Sequence, residues 1–113
     1  MLHDDDWVLQ TLNDQSVLPE APPITLKFGA EGRLTGSAGC NSYMGNYTYT
    51  ALEHGIKIDS ISRTAKLCNP TEIMEQERRF VDALTTATSY MIEDDRLELQ
   101  ISDGSSALVF IED

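Results

Sequence analysis

The fold is decided by residues 24–38, which read ITLKFGAEGRLTGSA. In the first five of these residues apolar and polar side chains alternate, which places three apolar side chains on one face of a strand: Ile24, Leu26 and Phe28. The glycine-containing segment 29–32 then supplies a turn, and residues 33–38 form the returning arm. This pattern predicts a β-hairpin with one buried face.

Outward from this hairpin, further short strands are predicted on both sides. They cover residues 7–12, 47–52, 56–59, 61–65, 90–92, 97–101 and 107–111. Thirteen large apolar side chains are expected to fill the interior: Trp7, Leu9, Ile24, Leu26, Phe28, Ile56, Ile58, Phe80, Leu84, Leu97, Leu99, Leu108 and Phe110. Such an interior leaves no large enclosed pocket.

One segment has a helical rather than an extended period. Asn69 suits the N-cap, Pro70 the first helical position, and the apolar residues Ile73, Phe80 and Leu84 follow helical spacing. A helix is therefore predicted over about residues 70–87. A chain of 113 residues fits a single domain, residues 1–113, of mainly β class with one α-helix.

Charge excludes several classes of partner. The net charge of −11 opposes binding to nucleic acid and to anionic lipid surfaces. No apolar run is long enough to span a membrane, and the first residues, MLHDDDW, lack the regions of a signal peptide. A lipid anchor is therefore expected only outside this sequence, and nothing in it indicates a cofactor.

A group of polar, glycine and cysteine residues resembles the META/HslJ family. It comprises Gly39, Cys40, Asn41, Ser42, Tyr43, Gly45, Tyr47, Thr64, Cys68 and Glu77. The similarity extends over nearly the whole chain, with one departure: the family usually has a Met shortly before the second cysteine, where this sequence has Ala65-Lys66-Leu67.

The resemblance implies a small antiparallel, incomplete (cracked) β-barrel packed by a single helix. It also implies a stress-associated or lipoprotein-type protein of the bacterial periplasm or outer membrane, and it supplies no catalytic residue. In an envelope protein Cys40 and Cys68 are expected to form a disulfide, and the resemblance places their bends close together; in a reducing cytosol they would remain buried thiols.

Other chemistry finds little support in the residue spacing. A metal site from Cys40, Cys68, His3 and His54 matches no known ligand spacing, so no metal is predicted. A hydrolase would need Ser42 or Cys40 to meet His54, which lies in a predicted turn. Glu77 shares the apolar stripe of the helix and is expected to be a buried structural clasp that accepts hydrogen bonds from residues 39–46; a functional carboxylate in a cleft is the alternative.

The sequence therefore favours a non-enzymatic envelope module that binds or stabilises a protein partner. A small carrier of an apolar ligand such as an acyl chain is the alternative, because an incomplete barrel can hold one slender ligand. A hydrolase is the third hypothesis. An apolar cavity would indicate the carrier, and a nucleophile in contact with a base would indicate the enzyme.

Overall fold

The predicted strands and helix are present in the structure, a computed structural model that describes residues 6–19, 21–50 and 52–113. Within these residues the strands and the α-helix are β1 (Asp6–Leu12), β2 (Gln15–Ser16), β3 (Thr25–Phe28), β4 (Arg33–Ser37), β5 (Ser42–Thr50), β6 (Gly55–Arg63), α1 (Thr71–Thr86), β7 (Ser89–Glu93), β8 (Arg96–Gln100) and β9 (Ser106–Glu112), and a 3-10 turn, Ala30–Gly32, joins β3 to β4. The predicted fold class, mainly β with one helix, is confirmed.

All strands of the described chain belong to one antiparallel sheet that curls into an uneven ring. The order is β2-β1-β3-β4-β5-β6-β7-β8-β9, and β9 also pairs with β1. β5 and β6 pair along almost their whole length, whereas β6 and β7 meet only where Gly55 lies opposite Ser89. The ring is therefore not a regular barrel, and α1 packs against β6 and β9.

The interior is filled by side chains from both the sheet and the helix. All thirteen residues predicted to fill it are buried. The Phe80 ring of α1 lies 5.5 Å from the ring of Tyr43 and 6.4 Å from that of Phe110, measured between centroids. Because each fully buried apolar side chain contributes roughly 1.5 to 3 kcal/mol, this packing is the main source of stability.

The start of the helix differs from the prediction. Pro70 occupies the cap position with extended backbone (φ −72°, ψ 168°), the helix begins at Thr71, and no side chain caps it. The prediction of Asn69 as N-cap was wrong, because Asn69 lies one residue before the cap position that the extended Pro70 occupies.

The boundaries of the strands near the glycine-rich bend also differ. β5 begins at Ser42, so Gly45 lies inside a strand and the bend is shorter than predicted. β6 continues without a break to Arg63, with a register shift opposite Gly45 and a left-handed Ser60 (φ 57°). The two-residue strand β2 was not predicted, because Gln15 and Ser16 are too few to show an alternating pattern.

Candidate functional site

The bend between β4 and β5 presents backbone N–H groups to the helix. Gly39 adopts φ +111°, a conformation that side chains disfavour, and the N–H of Ala38 donates to the carbonyl of Asn41 at 2.7 Å. This tight reversal turns the N–H groups of Cys40 and Asn41 toward α1.

Glu77 of α1 accepts those donors and is completely buried (0% exposed). Its Oε1 accepts from the N–H of Cys40 at 3.1 Å and from the N–H of Asn41 at 2.7 Å. Its Oε2 accepts from Asn41 Nδ2 at 2.8 Å and from Arg63 Nη1 at 3.0 Å. The Arg63 guanidinium balances the carboxylate charge, so both requirements of a buried anion, hydrogen bonds and an opposite charge, are met.

The Asn41 side chain connects this carboxylate to the segment that follows β6. Its Oδ1 accepts from Thr64 Oγ1 and from the Lys66 N–H, each at 2.7 Å. Its Nδ2 donates to the Lys66 carbonyl at 3.1 Å as well as to Glu77. The full hydrogen-bonding capacity of the amide is used. We refer to Glu77, Asn41, Arg63, Thr64 and Lys66 together as the Glu77 clasp.

A disulfide bond reinforces the clasp. The structure joins Cys40 to Cys68, with their Cα atoms 5.9 Å apart. Because Cys40 lies in the bend that contacts Glu77, the bond and the clasp hold the same two segments together. Residues 64–70, which form no helix or strand, are thereby fixed to the bend at two points.

Two buried tyrosines of the motif tie strands together through their hydroxyl groups. Tyr43 donates to the Thr25 carbonyl at 2.7 Å, and Tyr47 donates to the Gly29 carbonyl at 2.8 Å. The Tyr43 bond passes beside Gly36, where a Cβ would lie 2.2 Å from the Thr25 carbonyl oxygen, so that any side chain there would collide with β3. Burial raises the pKa of Tyr43 above its usual range.

Replacing Tyr43 with phenylalanine is expected to lower the free energy of unfolding by about 1 kcal/mol at neutral pH, the typical loss for one buried hydrogen bond. Urea denaturation measures this change. Tyr49→Phe is the matched control, because the Tyr49 side chain is partly exposed, and it is expected to change stability by less than about 0.5 kcal/mol. Equal losses in both variants would contradict the assigned bond.

The same variant tests the raised pKa. Folding favours the protonated Tyr43 hydroxyl, so its contribution to stability is complete below about pH 10, the pKa of an unfolded tyrosine, and is lost as the pH rises further. We expect the difference between wild type and Tyr43→Phe to shrink above about pH 10. A difference that stays constant to pH 11 would be inconsistent with burial of the hydroxyl.

The structure does not bring the hydrolase candidates together. Ser42 is exposed at the start of β5, whereas His54 lies in the turn beyond the other end of that strand, about 25 Å away at 3.3 Å per residue. Cys40 is bonded to Cys68. His3 lies outside the described residues, and the described part of the chain contains no group of three or more His, Cys, Asp or Glu side chains placed to hold a metal ion.

The depressions found on the described residues lie on the surface of the sheet or beside the helix. One of them has a volume of about 400 Å³ and is lined mainly by exposed residues of β4, β5 and the end of β6. No helix in the described ranges combines the length and apolar character needed to cross a membrane.

Sequence reasoning placed Glu77 and Asn41 near each other but missed Arg63 and Lys66. Arg63 ends β6 and reaches Glu77 from a strand, and Lys66 contributes only backbone groups. The backbone contribution of Lys66 has no side-chain signal in the sequence. The one available signal for Arg63 was a single basic residue inside the predicted strand 61–65.

Comparison with known proteins places these features in a wider context. A sequence model described as META domain matches residues 1–113. No curated protein matches the chain significantly. A protein whose structure was solved by NMR has a TM-score of 0.75 and 18% identity, with 97% of this chain and 90% of that chain covered.

Two further solved structures are similar. An NMR structure of a protein from Burkholderia xenovorans has a TM-score of 0.75 and 25% identity, covering 99% of this chain and 83% of that one. A crystal structure of a DUF4847 family protein from Bacteroides vulgatus has a TM-score of 0.57 and 21% identity, covering 78% of this chain and 57% of that one. The descriptions of these proteins name no activity, and the likenesses below 25% identity bear on the fold alone.

Proposed function

Because the chain belongs to the META domain family, we propose that it is a non-enzymatic module of the bacterial cell envelope that binds or stabilises a protein partner through its outer surface. The observation that carries the proposal is the filled interior. Twelve large side chains with less than 2% exposure occupy the space inside the ring. With the interior filled in this way, the outer surface of the described residues is the part available to a partner.

The disulfide supports the envelope as the compartment. Disulfides persist in the periplasm and are rare in a reducing cytosol. Cys40 and Cys68 form such a bond, and the described chain has no free cysteine. A periplasmic or outer-membrane protein of the lipoprotein or stress-associated type fits this chemistry.

The rival functions lack a matching site. An acyl-chain carrier needs an enclosed apolar cavity, whereas the depressions described above lie on the surface. A hydrolase needs a nucleophile in hydrogen-bond contact with a base, and Ser42 and His54 lie at opposite ends of β5. No observation favours either alternative.

The proposal predicts oxidised cysteines in the cell and a protein partner at the surface. Thiol trapping with a maleimide polymer in intact cells, followed by fractionation, is expected to leave both cysteines unmodified and the protein with the envelope. A photo-crosslinking amino acid is introduced in turn at four exposed positions, Met44, Leu52, Glu75 and Met91, and at least one is expected to yield a covalent adduct with another protein.

The carrier hypothesis is tested on the same purified protein. A fluorescent fatty acid is titrated to about 100 μM, and no saturable binding is expected. Saturable micromolar binding, together with no protein adduct from any of the four positions, would replace the proposed function with that of a carrier.

A further inference from the structure

The outer face of β4, β5 and β6 is built around an exposed methionine. Thr35, Met44 and Ser62 lie side by side on adjacent strands, because Met44 pairs with Thr35 on one side and with Ser62 on the other. The Met44 side chain is 54% exposed although it stands in the middle of a strand pair. Methionine and arginine are enriched in protein–protein interfaces relative to the rest of the protein surface.

Two depressions flank this row of side chains. One, of about 400 Å³, extends toward Ser42, Thr64 and Arg63. The other, of about 220 Å³, extends toward Asn46, Ser60 and Arg33. Both are lined by Thr35, Met44 and Ser62, so the two depressions adjoin along this row, and the lining of each includes an arginine. We call this the Met44 groove.

The charge of this part of the sheet is opposite to that of the rest of the molecule. Strands β3 to β6 hold four basic residues (Lys27, Arg33, Lys57 and Arg63) and one acidic residue (Asp59), and the charge of Arg63 is balanced by Glu77 of the helix. The rest of the chain holds the other four basic residues and eighteen acidic residues. Since charge effects decay over about 8 Å in physiological salt, a ligand confined to the groove experiences the local positive charge.

We propose that the Met44 groove is the docking site for the protein partner, and that the partner presents an extended segment carrying carboxylate side chains beside an apolar residue. The inference rests on the proposed function and adds to it the place and the chemistry of the contact. The apolar residue packs on Met44, and a carboxylate approaches Arg33, because the Arg63 guanidinium is already paired with Glu77. The Thr and Ser hydroxyl groups along the groove form hydrogen bonds with the polar groups of the segment.

The charge distribution favours a short acidic segment over a dense polyanion. A nucleic acid or an anionic membrane extends well beyond a groove on one face of a molecule measuring 42 × 28 × 25 Å, and so meets the acidic remainder of the surface. A protein segment with one or two carboxylates is short enough to stay within the groove and to avoid the acidic remainder of the surface. A second copy of the chain, which is itself acidic, is the rival occupant that the experiment must distinguish.

The test uses matched crosslinkers at two exposed methionines in the source bacterium. Position 44 lies in the groove, and position 91, where Met91 is 43% exposed, lies on β7. Mass spectrometry identifies the crosslinked residue. We expect a discrete adduct from position 44, formed with an extended segment that contains Asp or Glu, and none with the same segment from position 91.

Charge reversal then tests the chemistry. Arg33→Glu is expected to reduce the yield of the position-44 adduct by at least about 10-fold, and Arg33→Gln by less. Arg78→Glu, the same charge change on the exposed side of α1, is expected to change it by less than about 2-fold. Thermal melting of each variant verifies folding. Changing the mapped acidic residue of the partner to lysine is expected to restore the adduct with Arg33→Glu.

The other outcomes would reject the groove, the acidic partner or the proposed function, as follows. Adducts only from position 91, 52 or 75 would remove the groove and leave the proposed function intact. An adduct with a second copy of this chain, or a yield insensitive to Arg33→Glu, would also reject the acidic partner. No protein adduct from any position would reject the proposed function as well.

Discussion

Replacing Glu77 with alanine is expected to lower the free energy of unfolding by about 3 to 5 kcal/mol, because several buried hydrogen-bond donors lose one acceptor, each at a cost of about 1 to 3 kcal/mol. The variant leaves the N–H groups of Cys40 and Asn41, the Asn41 amide and the Arg63 guanidinium without their acceptor. A single unpaired neutral donor would cost about 1 to 3 kcal/mol. The larger value follows from the number of donors that lose their acceptor together, because the partly exposed Arg63 can be solvated.

Urea denaturation of Glu77→Ala and Glu75→Ala provides the matched comparison. Glu75 lies on the same helix two residues away and is exposed, so its replacement is expected to cost less than about 0.5 kcal/mol. Glu77→Gln is expected to recover little stability, because either orientation of the amide directs its NH₂ group at hydrogen-bond donors. If Glu77→Ala lowers the free energy of unfolding no more than Glu75→Ala does, the Glu77 carboxylate does not hold the bend in place.

Should Glu77→Ala fail to fold, a milder variant preserves the test. Arg63→Met keeps an apolar stem and removes the guanidinium, whose side chain is 36% exposed. Because the carboxylate retains its backbone and Asn41 donors, the expected loss is about 1 to 3 kcal/mol. No loss in this variant would show that Arg63 contributes no balancing charge.

The strands and the helix were predictable because their signals are local. Alternation along Thr25–Phe28 and Arg96–Gln100 identifies strands with one buried face, and the spacing of Ile73, Phe80 and Leu84 identifies a helix. The buried position of Glu77 followed from the same spacing. These features can be predicted from the spacing of apolar side chains along the sequence, without knowing how distant segments are arranged.

The pairing of Glu77 with Arg63 could not be predicted, because it depends on a bulge. In a regular strand Arg63 would lie on the outer face with Lys57 and Asp59. The register shift at Ser60 reverses the alternation, so that Arg63 lies opposite the buried Tyr43 and Ser62 faces outward beside Met44. A serine with φ 57° has no distinctive sequence signal. The same bulge thus completes both the clasp and the Met44 groove.

The short pairing between β6 and β7, which leaves the ring uneven, could not be predicted from the sequence either. The single pair between Gly55 and Ser89 leaves most of β6 without a neighbour on that side, although both strands have ordinary strand-forming sequences. α1 lies between these strands in the sequence and packs against β6. How far two strands pair is a property of the packed molecule, which a local sequence pattern does not encode.

Removing the disulfide with the double variant Cys40→Ala and Cys68→Ala is expected to lower the free energy of unfolding by about 3.5 kcal/mol in the chain-entropy model, for cysteines separated by 28 residues. The unfolded chain gains the freedom that the cross-link removed. The melting temperature is expected to fall by roughly 10 to 20 °C for a domain of this size. Reduction with dithiothreitol is expected to destabilise wild type similarly and to leave the double variant unchanged.

The disulfide and the Glu77 clasp are expected to act together rather than independently. Cys40 contributes both its sulfur to the bond and its N–H to Glu77, so removing either link loosens the bend that the other requires. We therefore expect a double-mutant cycle, comparing Glu77→Ala with the cysteine pair intact and replaced, to give a coupling energy above about 0.5 kcal/mol. Additive losses would instead mean that the bend keeps its shape without the bond. In that case reduction would destabilise the protein through the unfolded chain alone, and the clasp would hold residues 64–70 in place in either redox state.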